Sequence, residues 1–313
     1  MRAINFSYVR NYTWDMLVTG FDPELGWAPV PRAVKTIFGR RDQTIRNNVG
    51  IPGIDFGPDW RALNLRNNSI GLRDIEFERG SRPTILFLGD SMVWGYNVQE
   101  DERFTDLLRE EMKGFNIVNA GVSGYGTDQE FLFLKRIWDR IRPDVVVLVF
   151  CVETDREDNS TNLRYNSYKP YLVQTETGAW QFRGEPTPPP RNYYFVSNWF
   201  ARNLALARLA ASVYFEVRAQ VDGRYRKVNN PDPTERLVAM IREFAEARNA
   251  RFLVGVDKTE PKLEAFLQGS GIPYTNLEGA ERFTFTIHWS PTGHQFVAER
   301  FKALLSGTGV SDR

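Results

Sequence analysis

The chain has 313 residues and carries 40 Lys and Arg against 39 Asp and Glu, a net charge of +1. That balance excludes a general nucleic-acid binder, which needs a basic excess. A content of 42% hydrophobic and 25% charged residues excludes disorder or low complexity as the main state.

A single cysteine, Cys151, leaves no intrachain disulfide and no multi-cysteine zinc site, and His288 and His294 are the only imidazoles that any mechanism can use. The length suits two units, or one large α/β domain with additions. From Met1 to Trp14 there are arginines at positions 2 and 10, but no apolar stretch and no small-residue cleavage site. The longest apolar run, Val145 to Val152, is far short of a membrane span. The literal expectation is a soluble cytoplasmic chain without a transmembrane segment. The alternative is a periplasmic or extracytoplasmic one, if the natural gene encodes an upstream anchor.

Residues 1–80 are rich in turn signals, among them Pro23, Gly26, Pro29, Pro31, Pro52 and Gly53, and read as an extension with short strands that packs on the main domain. The main domain is expected over 81–313. Thr84–Leu88 has the length of a buried parallel strand. Phe104, Leu107, Leu108 and Met112 then share a helix face. Asn116–Asn119 is the next strand, Gly121–Thr127 a glycine-rich turn, and Asp128–Arg140 a helix stopped by Pro143. Val145–Val152 is the most β-branched segment and is expected to be the central strand. Strand and helix alternating in this way predict a doubly wound parallel sheet.

Alternation lapses over an insertion at about 160–231, which holds Pro186–Pro190, many aromatics and a helical segment near Arg202–Arg218. With Arg202, Arg208, Arg218, Arg224, Arg226 and Lys227 its far end is basic, and it is read as the solvated face of a packed helix in preference to a membrane-surface helix. Alternation resumes with a helix capped by Asp232 or Thr234, a strand at Arg251–Val256, a short helix at Lys262–Leu267, a strand at Tyr274–Leu277 and a terminal helix at His294–Leu305.

In an open parallel sheet ligands bind beyond the carboxyl ends of the strands, and four segments fall there. Ser91 follows the first strand directly: it either caps the next helix or stands exposed, near the positive end of a helix dipole, with its own N–H able to hold an oxyanion. Ser123-Gly124 follows the second strand, where a glycine lets the backbone approach a substrate and offers an N–H. Glu153-Thr154-Asp155 ends the central strand; Thr154 has a hydroxyl to donate, while Asp155 and Asp158 are alternatively loop caps. His288, in His288-Trp289-Ser290-Pro291-Thr292-Gly293-His294, lies where a base can reach over the sheet; Ser290 or Thr292 caps the terminal helix, and His294 packs inward.

The combination resembles the GDSL/SGNH hydrolase superfamily of bacterial esterases and O-acyltransferases. Gly89-Asp90-Ser91 matches the first block, Asn119-Ala120-Gly121-Val122-Ser123-Gly124 the second, Glu153-Thr154-Asp155 stands in the place of the third, and His288 matches the histidine of the fifth. The match runs over about 84–159 and 232–307. The segments FDPELGW at 21–27 and NNSIGLRD at 67–74 are similar to the extension that precedes the first block in a subset of bacterial members. The resemblance implies a three-layer α/β/α, flavodoxin-like fold and acyl-enzyme chemistry. Ser91 would be the nucleophile and His288 the base, with Ser91, Gly124 and Thr154 around the oxyanion. Asp90, Glu153 and Asp155 would be supporting groups, and no cofactor or metal is implied.

Two positions depart from the family. Thr154 replaces the third block's asparagine, and Phe285 replaces the aspartate three residues before the histidine. Without that acid the imidazole needs another partner: a backbone carbonyl near Phe285, giving a Ser-His dyad, or Glu153. The expected substrate is an ester, and the resemblance implies an O-acetylated carbohydrate; the insertion's Tyr165, Tyr168, Tyr171, Trp180, Tyr193, Tyr194 and Trp199 either stack on sugar rings or, as is commoner, pack in the interior. Transfer to a polysaccharide hydroxyl is one alternative, and a carbohydrate-binding or assembly protein without turnover is another. A phosphate site is disfavoured, since no P-loop or dinucleotide-binding glycine fingerprint is present.

Overall fold

The computed structural model describes residues 18–40, 60–165, 167–190, 199–284 and 286–308. The readings of Met1–Trp14, Tyr193, Tyr194 and Phe285 lie outside them.

Two antiparallel strand pairs come first, β1 (Thr19–Asp22) with β2 (Gly26–Pro29), a hairpin, and β3 (Val34–Arg40) with β4 (Trp60–Arg66). The alternating part then runs β5 (Thr84–Gly89), α1 (Ser91–Trp94), α2 (Phe104–Glu111), β6 (Asn116–Gly121), α3 (Thr127–Ile141), β7 (Val145–Phe150) and α4 (Asp155–Asn159). The insertion holds β8 (Leu163–Arg164), β9 (Ser167–Tyr168), β10 (Tyr171–Gln174), β11 (Trp180–Arg183), α5 (Trp199–Asn203) and α6 (Ala205–Val221). The chain closes with α7 (Thr234–Glu246), β12 (Arg251–Val256), α8 (Pro261–Gly269), β13 (Tyr274–Asn276) and α9 (Pro291–Gly307).

The five-stranded sheet has the order β13-β12-β7-β5-β6 and every pairing in it is parallel. In order of appearance that is 2-1-3-4-5, the flavodoxin-like order, with its topological switch between β5 and β7. All residues of β5 and β7 are buried, as continuous apolar runs must be when helices cover both faces. Successive residues feed opposite layers. Leu86, Leu88, Val146 and Leu148 meet Leu134, Ile137, Val238, Ile241 and Leu263 of α3, α7 and α8, whereas Ile85, Phe87, Val147 and Val149 meet Phe104, Leu108, Val297 and Phe301 of α2 and α9. This is the three-layer α/β/α arrangement the alternation predicts.

The first hairpin and the segment after β4 are stitched onto the rim of this sheet. Trp27 is 1% exposed, its indole N–H donates to Ser123 O at 3.2 Å, and the Tyr125 hydroxyl donates to Trp27 O at 2.6 Å. Arg73, also buried, donates to Trp94 O (3.0 Å), Gly95 O (2.7 Å) and Val98 O (2.8 Å). Asp74 accepts from Asn119 N at 2.8 Å and pairs with Arg109.

The insertion helix packs through one side and turns apolar side chains outward. On α6 the small Ala211 is buried beside Tyr225, while Leu206, Leu209, Val213, Val217 and Val221 all face solvent. Among the described residues the outward face of α6 is therefore apolar, and Ala211 on its packing side meets the insertion's own 3-10 turn, Gly223–Tyr225.

Candidate active site

Ser91 owes its place to the end of β5. Gly89 and Gly121 are paired partners at the ends of β5 and β6, and a Cβ on Gly121 would lie 2.3 Å from Trp94 N, so only glycine lets α1 sit this close to the second strand. The cap of α1 is Asp90, whose Oδ1 accepts from Met92 N at 2.8 Å. The expectation of Ser91 as N-cap is thus not met, and the serine hydroxyl is left for other partners. Because α1 is a single turn, the dipole expected at Ser91 reduces to its own free N–H groups.

The Ser91 Oγ lies 2.7 Å from His288 Nε2 and 3.4 Å from Asp90 Oδ2. His288 precedes α9, whose N-cap is Ser290: its hydroxyl accepts from Gly293 N at 3.1 Å and donates to Glu281 Oε1 at 2.6 Å. The histidine loop is closed by Phe283 N donating to His288 O (3.0 Å) and Ser290 N donating to Glu281 O (3.0 Å). The ring is stacked on Tyr96 with centroids 4.4 Å apart. Its Nδ1 lies 2.6 Å from the hydroxyl of Thr286. Among the described residues the partner is therefore the side chain of Thr286, two residues upstream, and not Glu153.

Glu153 is drawn away by cations: it pairs with Lys258 and lies 4.0 Å from Arg282. Arg282 in turn donates to Asp257 Oδ2 at 2.8 Å and to Ile287 O, which braces the histidine loop against the end of β12. Burial, and after it the positive charge of Arg282, lowers the His288 pKa to about 3, so the imidazole is neutral over the physiological range.

Gly124 takes φ +79° in the turn after β6, in the left-handed region that favours glycine. Thr154 N donates to Cys151 O at 3.2 Å, and its hydroxyl lies 3.5 Å from Asp90 Oδ2. Ser91, Gly124 and Thr154 thus occupy the turns after β5, β6 and β7 on one rim. The carboxylate of Asp90 sits between the serine and the threonine; burial and the neighbouring Asp257 raise its pKa to about 6. Asp155 is turned inward, where its Oδ2 accepts from Cys151 N at 2.7 Å, a cap on the end of the central strand. Asp158 pairs with Arg164. His294 is 1% exposed, accepts from Phe104 N at 3.3 Å and stacks on Phe104.

The arrangement contains a hydroxyl against an unprotonated ring nitrogen, a second hydroxyl on the other nitrogen, and glycine-bearing turns beside them. Such a set can transfer a proton from an alcohol while the oxygen attacks a carbon centre. Thr286, Tyr96 and Arg282 were not assigned roles from sequence. Thr286 had one readable signal, a hydroxyl residue close before the histidine; Tyr96 and Arg282 had none, because the ring stack and the brace depend on how separate loops meet.

Among solved structures, a lipolytic protein of the G-D-S-L family from Desulfitobacterium hafniense is similar over 72% of this chain and 100% of its own, at 9% identity and TM-score 0.41. A psychrotrophic esterase from Pseudoalteromonas, solved inhibited by monoethylphosphonate, covers 73% of this chain and 99% of its own, at 11% identity and TM-score 0.40. A two-domain esterase active on acetylated mannans covers 74% of this chain and 51% of its own, at 13% identity and TM-score 0.41. No curated protein matches the sequence. The profile of the GDSL-like lipase/acylhydrolase family matches residues 87–296, two-thirds of the sequence and all four turns of the rim, and the chain belongs to that family.

Proposed function

We propose that the protein is a serine ester hydrolase in which Ser91 and His288 react as a pair. The observation that carries this is the 2.7 Å approach of Ser91 Oγ to His288 Nε2. Ser91 Oγ attacks the ester carbonyl carbon and its proton passes to His288 Nε2. The tetrahedral intermediate collapses with cleavage of the C–O bond to the alcohol, which takes the proton back from Nε2 as it leaves. Water then gives a proton to Nε2 as its oxygen attacks the acyl-serine carbonyl; the C–Oγ bond breaks, the proton returns from Nε2 to Ser91 Oγ, and the acid is released.

Ser91 N–H and Gly124 N–H are the oxyanion donors in this reading. Thr154 is the weaker third. Its one proton has the Asp90 carboxylate as a competing acceptor at 3.5 Å, and a carboxylate outbids a carbonyl oxygen that carries only developing charge.

Thr286 does the orienting work that an aspartate does elsewhere. In the tautomer that leaves Nε2 free, Nδ1–H donates to the Thr286 hydroxyl. A hydroxyl fixes the ring but brings no negative charge, so the imidazolium formed during attack is not offset. Loss of the acid in a serine protease triad costs about 10⁴-fold. The expected enzyme is therefore slow, and best on activated or well-positioned esters. The reading without turnover is motivated by the missing aspartate, and the Thr286 contact weakens that motive.

The test is hydrolysis of p-nitrophenyl acetate. Wild-type turnover, abolished in Ser91→Ala and in His288→Ala and reduced about 10- to 100-fold in Thr286→Val, is the expected pattern, the last from an Nδ1–H left without its acceptor. Turnover that survives Ser91→Ala undiminished would refute the assignment.

A further inference from the structure

The described residues expose fourteen large apolar side chains, and nine of them fall between Trp199 and Val221. Single exposed leucines are ordinary on any surface; a contiguous group is not. On α6 the exposed residues Leu206, Leu209, Val213, Val217 and Val221 follow one another at intervals of three and four, which places them in a single stripe along the helix. Leu206 is 77% and Val221 82% exposed. The preceding turn adds Trp199 and Phe200, 65% and 61% exposed and packed edge to face on each other. The opposite side of α6 is the one that docks, through Ala211 against Tyr225.

The charge in this segment is as uneven as its apolarity. The whole chain is balanced, yet residues 199–227 hold six Lys and Arg against two Asp and Glu. Arg226 and Lys227 are exposed just beyond the helix, and the Arg218 guanidinium lies over the rings of Tyr214 and Tyr225 on the flank of the stripe. An apolar stripe, tryptophan and phenylalanine at one end and cations at the flank and the other end are the parts of a helix that lies in a membrane interface. A second copy of the chain would bring the same positive excess against this one, whereas an anionic lipid surface complements it. The helix is too short to cross a bilayer, and among the described residues no helix is long and apolar enough to do so.

We propose that α5 and α6 form a peripheral membrane-binding element, seated with the stripe among the acyl chains and the basic residues among anionic headgroups. This is independent of the chemistry assigned to Ser91. The test is co-sedimentation of the full chain with vesicles of phosphatidylcholine alone and of phosphatidylcholine with phosphatidylglycerol. Binding to the anionic vesicles, weakened by added salt and at least tenfold weaker in the variant Leu206→Glu/Val213→Glu/Val217→Glu, is expected. The substituted positions are exposed, so the variant should keep the wild-type circular dichroism and thermal midpoint. Absence of binding to anionic vesicles would overturn the proposal. So would equal binding by the triple variant, which would move the contact elsewhere in the chain. A wild-type dimer that the variant dissociates, with no vesicle binding by either, would assign the stripe to a second copy and also overturn it.

Discussion

The two additions to the α/β unit solve opposite problems. The segments before β5 bury polar groups: Arg73 donates to three carbonyls at the end of α1 and in the loop after it, and Trp27 donates to Ser123 O and accepts from the Tyr125 hydroxyl, both in the turn that carries Gly124. That loop also holds Tyr96, which stacks on His288, so the extension reaches the site through one intervening residue. The insertion helix does the reverse, burying alanine and leaving leucine and valine outside. Buried polar bonds with many partners fix geometry, because each unmet group is costly. An exposed apolar stripe fixes nothing within the chain and is useful only to a partner.

That contrast can be broken by substitution. Trp27→Ala should have the largest effect, a loss of about 3–5 kcal/mol on chemical denaturation, from a cavity left under the Gly124 turn. Arg73→Met should follow, at about 1–3 kcal/mol for carbonyls left without donors. It should also lower kcat in the surviving fold, since the Tyr96 loop loses its clamp; a fall in stability with unchanged kcat would separate the extension from the site. In third place is a pH effect. Neutral His288 is the reactive form, and its pKa of about 3 means that protonation removes activity only in strong acid. The acid limb of kcat/KM should therefore lie well below the 6.5 of a free imidazole, and Arg282→Gln should move it upward by removing the nearby positive charge. An acid limb near 6.5 in the wild type would show a solvated ring. The smallest effect belongs to Leu206→Ser with Val213→Ser, which should alter stability by no more than about 0.5 kcal/mol, as expected at exposed positions.

Much of the central unit could be read from the residues alone. Thr84–Leu88, Val145–Val152 and Arg251–Val256 are apolar runs that only a sheet covered on both faces can bury, and the order of the turns followed from them. Ser91 and His288 could be paired on the resemblance, although their meeting is a tertiary fact between residues 197 positions apart. The hydroxyl of Thr286 was visible but had no assigned use, because a partner for Nδ1 is chosen by a few tenths of an ångström in a loop. The clamp made by Arg73 was out of reach, since a buried arginine and an exposed one look alike in a sequence. The outward turn of the α6 stripe was likewise out of reach, because helical spacing defines a stripe but does not say which side faces the protein.

The most direct test of the Ser91–His288 assignment is covalent. Incubation with a fluorophosphonate at neutral pH, followed by peptide mass mapping, should give one phosphonyl adduct on the peptide containing Ser91, much slower labelling of His288→Ala, and none of Ser91→Ala. Labelling confined to another residue, or equal in wild type and Ser91→Ala, would contradict it.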